Sequence, residues 1–255
     1  MTELPAGFCS YVTNLGVKDD TNDFVVIAAD APVPTAAVFT QSRFAGPSVT
    51  LSRRHVADGM ARAAVVISKN ANVATGQLGV DDANTVADLV AERLGCDAAD
   101  VILTSTGVIG RRYPIDRVAA GLETIPQPLN SVDAAGPAHA MMTTDTVAKL
   151  ATAEVPAATG TARIVGMAKG VGMFEPNMAT HISMLFTDAA VEAADLDAIF
   201  RRVVDRTFNC VSIDTDTSTS DTSIVMASGA AGAVDLVAFE AAMYDVAVDL
   251  TKQIA

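Results

Sequence analysis

Helical and extended patterns alternate along this chain, and that alternation limits the fold more than any other feature of the sequence. Residues 82–95 place Val86 and Val90 on one helical face, and the pattern stops at Gly95, a residue typical of helix ends. Residues 100–107 follow at once as a short apolar, β-branched run that empties into a glycine. A helix followed directly by a buried strand predicts a domain of mixed α and β structure.

The same reasoning predicts further elements on both sides of this pair. A segment rich in Pro, Ala and Gly at 154–161 is either a domain break or only a loop between two of them. The predicted elements are a helix from about Ser52, a strand at 64–68, a helix within 113–125 with Pro114 in its first turn, strands at 161–170 and 180–188, and helices at 195–208 and 235–255.

The charge balance excludes several classes of partner. The chain of 255 residues carries a formal charge of -13 and only 17 Lys and Arg. Nucleic acids and anionic membranes need clustered cations, so neither is an expected partner. The first residues show no basic segment followed by an apolar one, and no apolar run approaches the roughly 18 residues that span a bilayer. We therefore expect a cytoplasmic protein.

Cysteine and histidine residues are few and scattered. No set of them has the spacing of a zinc site, and there is no C-x-x-C pair, so we expect neither a metal nor a disulfide. Cysteines flanked by apolar or small residues are usually small buried hydrophobes, and we expect that of each one here. The residues concerned are Cys9, Cys96, Cys210, His55, His139 and His181.

The acidic segment 212–223 needs a separate test. The spacing of the first ligands in a calcium-binding loop is matched by Asp214, Asp216 and Ser218. The sixth position, however, is Thr219 instead of glycine, and the last position is not glutamate. We reject a calcium site and expect these side chains to fold turns and cap helices.

The end of the strand at 100–107 is one place where chemistry is possible. Two hydroxyl residues and Gly107 lie where backbone N–H groups can turn toward a ligand, which suits a developing negative charge on oxygen. Gly107 and Gly110 have the wrong spacing for a dinucleotide-binding loop. A glycine turn without function remains the alternative.

A second place is Thr180, which opens the strand at 180–188. No Ser-His-Asp or Cys-His pattern offers another nucleophile. Alternation along the strand puts Thr180 and Ile182 on one face and His181 and Ser183 on the other. His181 is therefore a poor general base for Thr180.

Thr180 can supply its own base if it becomes a chain terminus. A free α-amino group titrates near pH 8 and is close to the threonine hydroxyl. This requires cutting the Ala179–Thr180 bond, which the hydroxyl itself can attack. A threonine that merely begins a strand is the alternative that the residues leave open.

Five segments, taken in order, resemble the glutamate N-acetyltransferase/ornithine acetyltransferase family of arginine biosynthesis. Within that family, the residues of these segments are most similar to those of the member associated with clavulanic acid biosynthesis. The segments are 68–76 (SKNANVATG), 105–114 (STGVIGRRYP), 142–146 (MTTDT), 169–180 (KGVGMFEPNMAT) and 208–222 (FNCVSIDTDTSTSDT).

The resemblance implies an α+β fold with layered α/β/β/α architecture of the self-processing N-terminal-threonine type. It implies an alpha segment, 1–179, and the start of a beta segment, 180–255, that together make one structural unit. The two segments of such proteins associate as a heterotetramer or a larger assembly.

The resemblance also implies the site. Thr180, exposed by cleavage after Ala179, would be the nucleophile, and Thr106 and Gly107 would form the oxyanion hole. A second group would contact substrate together with Thr180. Acetyl would pass from N-acetylornithine to glutamate through an acetyl-threonine, with no cofactor. The substrate-contacting residues implied besides Thr180 are Thr146 and Lys169.

Two features depart from the family pattern. His181 stands where relatives have an apolar residue, and we expect it to affect packing instead of chemistry. The acidic D-G-E-G-type segment and the C-terminal region of relatives have no counterpart here, which implies an incomplete C-terminus with apolar area left open on the last helix. The alternatives are an amidohydrolase or aminopeptidase that uses the same threonine, and an inactive remnant.

Overall fold

A computed structural model describes residues 2–170, 181–212 and 218–255. Eight strands and six helices follow each other along these residues, with three short 3-10 turns between them. The strands are β1 (Phe8–Thr13), β2 (Phe24–Phe39), β3 (Met60–Asn70), β4 (Val101–Val108), β5 (Lys149–Ala157), β6 (Gly160–Lys169), β7 (Ile182–Ala190) and β8 (Thr222–Ala233). The helices are α1 (Pro47–His55), α2 (Gly76–Leu94), α3 (Ile115–Leu122), α4 (Ala135–Ala140), α5 (Ala193–Arg206) and α6 (Leu236–Ile254).

The long strand β2 belongs to two sheets. Its first half pairs antiparallel with both β1 and β3. The strand β3 in turn pairs in parallel with β4. After a register shift between Ala28 and Val33, its second half pairs with β8, and the order continues through β7 and β6 to β5. We call β1–β4 the first sheet and β5–β8, with the end of β2, the second sheet.

Alternate residues of the strands enter different cores, which shows how the sheets are layered. In β3, Ala64 and Val66 pack between the two sheets, whereas Val65 and Ile67 pack against α1, α2 and α3. The second sheet turns its other face toward α5 and α6. Because both faces of each sheet are covered, the strands read as nearly continuous apolar runs.

The layers are therefore helices, sheet, sheet and helices, which confirms the α/β/β/α architecture. The helix α6 is capped at its N-terminus by Asp235, whose side chain accepts a hydrogen bond from the amide of Ala238 at 2.9 Å. Its apolar stripe packs on β5 and β6, and its exposed large apolar residues are Leu236 and Val237, in the first turn.

Most predicted elements form where the sequence placed them. The helix that ends at Gly95 is α2, and Gly95 has the left-handed conformation (φ 67°) that such ends need. The helix expected from about Ser52 is wrong in its bounds: α1 ends at His55, and the residues from Met60 onward already form β3. The segment 154–161 forms the end of β5, the tight turn of the β5–β6 hairpin and the start of β6, and it is not a domain break.

Candidate functional site

A cavity of about 1260 Å³ lies where the ends of both sheets meet. Its walls come from the last residues of β3, β4 and β6, from the loop 18–22, from α4 and the loop that follows it up to Asp145, and from residues 218–220 just before β8. Three lysines reach it, although the chain as a whole is strongly acidic. They are Lys18, Lys69 and Lys169.

Gly107, predicted for the oxyanion hole, lies on the wall of this cavity beside the backbone of Lys69. β3 and β4 pair in parallel with Lys69 opposite Gly107. A Cβ on Gly107 would lie 2.2 Å from the Lys69 carbonyl carbon, and its φ of +132° is unfavourable for other residues. Only glycine fits here, because the neighbouring atoms are backbone.

The segment that faces Gly107 is itself unusual. Lys69, Asn72 and Ala74 have positive φ values of 76°, 52° and 60° although none is glycine. Such conformations cost on the order of 1–3 kcal/mol each and persist only where the surroundings enforce them. Strained backbone therefore begins at Lys69 on the cavity wall and continues in the residues just after β3.

Thr106 and Lys169 meet across the two sheets. The Lys169 ammonium lies 3.5 Å from the Thr106 hydroxyl oxygen. A lysine has no acceptor, so the hydroxyl accepts from the ammonium and keeps its own proton to donate. Alternation explains the contact: Thr106 has the parity of Ile102, and Lys169 that of Met167, and both of those residues face the layer between the sheets.

Lys169 is a buried cation, with only 3% of the residue exposed. Burial lowers the pKa of its ammonium, and the carboxylates of Asp145 and Asp221 act in the opposite direction. A buried lysine held between carboxylates, at the end of a cavity, is suited to pair with an anionic group of a ligand.

Asp145 belongs to a buried ion pair that the sequence reasoning did not single out. Its carboxylate accepts from the Lys149 ammonium at 2.6 Å, from the Gly170 amide at 2.8 Å and from the Thr143 amide at 3.1 Å. Burial raises the pKa of Asp145, but these three hydrogen bonds, with the charge of Lys169, outweigh burial and keep it below its usual value. The spacing of four between Asp145 and Lys149 was the one signal in the sequence.

Thr146, predicted to contact substrate, follows Asp145 but has an exposed side chain. Among the described residues that line the cavity, its neighbours Thr143, Thr144 and Asp145 occur and Thr146 does not. The structure thus brings Thr106, Gly107 and Lys169 together and places Thr146 at the margin.

Thr180 and Ala179, the predicted nucleophile and cleavage position, lie outside the described residues. The described chain ends on one side at Gly170 and resumes at His181. Lys169 pairs with Ile182 across β6 and β7, so these two points are adjacent in the second sheet.

His181 is buried next to β7. Its ring lies 4.8 Å from that of Phe208 and its Nε2 atom 3.3 Å from the Ser183 hydroxyl. Burial, and then the charge of Lys169, lowers the pKa of His181 to about 3. The predicted alternation is confirmed for the described residues, since Ile182 packs between the sheets and Leu185 on the helix side.

Lys18 was also missed by the sequence reasoning. Its ammonium donates to the carbonyl oxygens of Asn22, Ala140 and Met142 at 3.0, 2.9 and 2.7 Å. All three N–H donors of the ammonium are thereby paired with carbonyl oxygens. Lys18 therefore links the loop 18–22 to the chain around Ala140 and Met142 in the cavity wall. Nothing in a lone lysine of the sequence indicates such a role.

Among the described residues, no three His, Cys, Asp or Glu side chains are grouped closely enough to hold a metal ion. Within the same residues, no helix is both long and apolar enough for a membrane span. The expectation that all cysteines are buried is wrong for Cys210, which is exposed, while Cys9 and Cys96 are half-buried.

Fold and cavity together define a four-layer α/β/β/α protein with a cavity, lined in part by three lysines, at the junction of its sheets. The chain belongs to the ArgJ family, which its residues 10–255 match. It is 51% identical to the arginine biosynthesis bifunctional protein ArgJ 2 of Nostoc sp., a match that covers 100% of this chain and 65% of the relative. It is 50% identical to the glutamate N-acetyltransferase Oat2 of Streptomyces clavuligerus, over 99% of this chain and 64% of the relative.

Solved structures of the family are similar as well. The arginine biosynthesis bifunctional protein ArgJ of Bacillus halodurans superposes with a TM-score of 0.66 at 32% identity, covering 70% of this chain and 95% of that one. The ornithine acetyltransferase of Mycobacterium tuberculosis, solved in complex with ornithine, has a TM-score of 0.55 at 30% identity and covers 68% and 92%. The chain thus spans somewhat less than two thirds of the curated relatives' length.

Proposed function

We propose that this chain is an autoprocessing acetyltransferase that moves acetyl from N-acetylornithine to glutamate. The observation that carries the proposal is the meeting of Thr106, Gly107 and Lys169 at the cavity, beside the start of β7. Acyl transfer from an amide that also carries a carboxylate needs donors for the oxyanion and a cation for the carboxylate. A hydroxyl and a backbone turn are suited to the first task, and a buried ammonium to the second.

Each residue has a defined task in this proposal. The Thr106 hydroxyl and the Gly107 amide donate to the oxyanion, and Lys169 pairs with a substrate carboxylate. Thr180 is the nucleophile, and its predicted strand face is that of Ile182, which lies in the layer between the sheets where Thr106 and Lys169 also point. Thr146 contacts substrate from the margin of the cavity.

Self-cleavage makes the nucleophile. The Thr180 hydroxyl oxygen attacks the Ala179 carbonyl carbon, the carbon–nitrogen bond breaks, and the nitrogen takes the hydroxyl proton, leaving an ester and a free amine. Water then hydrolyses the ester, which yields the Ala179 carboxylate and restores the hydroxyl. The new α-amino group is the base for later steps.

Acetyl transfer follows in two steps. The Thr180 oxygen attacks the acetyl carbonyl of N-acetylornithine, and ornithine leaves with the proton that the α-amino group took from the hydroxyl. The glutamate amine then attacks the acetyl ester, and its proton returns to the threonine oxygen as N-acetylglutamate leaves. No cofactor takes part in this cycle.

The sizes of the relatives support cleavage. The solved Bacillus halodurans chain is matched over 95% of its length but covers only 70% of this chain, whereas the curated relatives are longer than this chain. A solved chain shorter than the sequences of its family is what cleavage into two segments predicts. The ornithine in the Mycobacterium tuberculosis structure supports an ornithine-related substrate.

The proposal includes arginine biosynthesis as the pathway, the cytoplasm as the location, and assembly of the segments 1–179 and 180–255 into one unit within a heterotetramer or larger complex. A role in clavulanic acid formation is not part of the proposal, because the printed names of these relatives refer to arginine biosynthesis and to glutamate N-acetyl transfer.

Intact-mass analysis of the purified protein tests self-cleavage. We expect two masses, for residues 1–179 and 180–255, and a single uncut mass for Thr180→Ala. Thr161→Ala, which changes an exposed threonine of the β5–β6 hairpin, is the matched control and should be cut like the wild type. A wild-type chain that stays whole would contradict the proposal.

The same cut protein separates transfer from hydrolysis. We incubate it with N-acetylornithine, with and without glutamate, and measure ornithine and N-acetylglutamate. Transfer predicts that ornithine release rises with glutamate and that N-acetylglutamate forms in equal amount. Ornithine and free acetate without N-acetylglutamate would identify an amidohydrolase instead.

A further inference from the structure

Two buried aspartates bind the backbone at the two ends of the 171–180 segment. Asp145 accepts from the amide of Gly170, the last described residue before the segment, at 2.8 Å. Asp221 accepts from the amide of His181, the first described residue after it, also at 2.8 Å. The two contacts come from different loops, and each uses a carboxylate oxygen.

Covalent geometry gives these contacts a meaning for the site. A peptide unit is planar and includes the Cα atoms of both residues that it joins. The amide that Asp145 holds is in the same plane as the Cα of Lys169. The amide that Asp221 holds belongs to the residue that follows Thr180 in the sequence. Each carboxylate therefore holds the amide of the residue directly after one that we assign to the chemistry.

The surroundings of the two aspartates indicate more than a fold contact. Asp145 has a fully buried side chain, and its partner Lys149 is 3% exposed. Asp221 is also fully buried, and both carboxylates interact with the charge of Lys169. Two carboxylates, of Asp145 and Asp221, and two ammonium groups, of Lys149 and Lys169, thus lie close together in the interior. Such a cluster is costly to assemble for stability alone, because apolar residues of similar volume stabilise as well or better.

We propose that Asp145 and Asp221 are positioning residues: Asp145 orients Lys169, and Asp221 orients Thr180, for self-cleavage and acyl transfer. This inference rests on the proposed function and extends it to residues of the loops 142–146 and 218–221. Charged acceptors form stronger hydrogen bonds than neutral ones, so a carboxylate holds each amide more firmly than an amide oxygen would.

The fold supplies a matched control for both aspartates. Asp188 is buried at the opposite end of β7, where its carboxylate accepts from the Arg163 amide at 2.6 Å and from the Ala6 amide at 3.3 Å. Like Asp221, it accepts from backbone amides through its carboxylate, but it lies at the other end of β7 from His181 and does not line the cavity. A purely structural role for buried aspartates predicts equal effects at both ends of the strand.

The experiment follows self-cleavage of newly made protein. The chain of 255 residues is synthesised in a cell-free system with a pulse of labelled methionine, and the cut fraction is measured during a chase. The variants are Asp221→Ala, Asp221→Asn and Asp188→Ala, and Asp145→Ala made together with Lys149→Met so that Lys149 is not left as a buried ammonium without its ion-pair partner. Unfolding curves of the same proteins give the folded fraction, to which each rate is referred.

We expect cleavage at least tenfold slower in the Asp145 double variant and in Asp221→Ala, and an intermediate rate in Asp221→Asn, which keeps the accepting oxygen. Asp188→Ala should cleave within twofold of the wild type.

Wild-type rates per folded molecule in both the Asp221 variants and the Asp145 double variant would overturn this inference and leave the proposed function intact. Slowing by Asp188→Ala as large as that by Asp221→Ala would also overturn it. A wild-type chain that never cleaves would instead overturn the proposed function, and the inference with it.

Discussion

The two sheets contribute to the same cavity in different ways. At the first sheet, the site residue Gly107 is held by shape, since its missing side chain allows the Lys69 backbone to lie against it. At the second sheet, Lys169 and the start of β7 are held by charge, through Asp145 and Asp221. Backbone donors need close packing, whereas a buried cation needs compensating carboxylates. The wall of the cavity is therefore held in place by close backbone packing at the first sheet and by buried charges at the second sheet.

Gly107→Ala should have the largest effect on stability, because it disrupts the close packing of Gly107 against the Lys69 backbone. The new Cβ would meet backbone atoms of Lys69 at 2.2–2.5 Å and would require a φ of +132°. Overpacking and backbone strain together should lower the free energy of unfolding by about 4 kcal/mol. Urea denaturation measures this loss.

Gly110→Ala is the control for that substitution. Gly110 also has a positive φ, +82°, but no atom lies within 4 Å of a Cβ placed there. It should lose only about 1 kcal/mol, from backbone strain. Equal losses at Gly107 and Gly110 would show that the contact with Lys69 contributes nothing.

His181→Leu tests the second wall, where burial and charge dominate. The pKa of His181 is about 3 in the folded protein and near 6.5 in an unfolded chain, so only the unfolded chain takes up a proton between these values. Stability that is present above pH 6.5 is therefore lost as the pH falls toward 3. At pH 4 this loss is about 3 kcal/mol.

Unfolding free energies at pH 7 and pH 4 measure that loss. His181→Leu should remove about 3 kcal/mol of the difference, whereas His139→Leu, which replaces an exposed imidazole, should leave it unchanged. If the wild type and His181→Leu lose the same stability over this range, the imidazole is not buried as described.

Thr106→Val tests the contact between the two sheets, where the Thr106 hydroxyl meets the Lys169 ammonium. It keeps the shape of the side chain but removes the hydroxyl that accepts from Lys169 and donates to the proposed oxyanion. Loss of one such donor should slow self-cleavage about 100-fold with little loss of stability. The cell-free chase measures the rate.

Thr104→Val is the control on the same strand. Its hydroxyl donates to the Val65 carbonyl oxygen at 2.9 Å, away from the cavity, so cleavage should continue at the wild-type rate. A Thr106→Val protein that cleaves as fast as Thr104→Val would refute the oxyanion role of the Thr106 side chain.

Local patterns predicted the elements that carry strong signals of their own. The helices α2 and α6 and the strand β4 have clear periodicity and clear ends, so their existence followed from the sequence. The long strand β2 was missed, because Pro32 and Pro34 interrupt its pattern where it crosses from one sheet to the other and its residues become exposed. The start of α1 was placed too late, since its first turn contains Pro47 and few apolar residues.

The candidate site was predictable to a smaller extent. Thr106, Gly107 and Lys169 were singled out by motif and resemblance, and the structure places them together at the cavity. Asp145, Asp221 and Lys18 were not, because a buried aspartate or lysine looks like any surface charge in a sequence. Their roles depend on partners far away along the chain.

The sequence by itself determined the class of fold, the family and the types of residue available for chemistry, because these depend on local periodicity and on short motifs. Only the tertiary structure decided which of those residues meet. The contact of Lys169 with Thr106 joins positions 63 residues apart on different sheets. Asp221 reaches the His181 amide across 40 residues. Such contacts follow from how strands are ordered and packed, which no local pattern encodes.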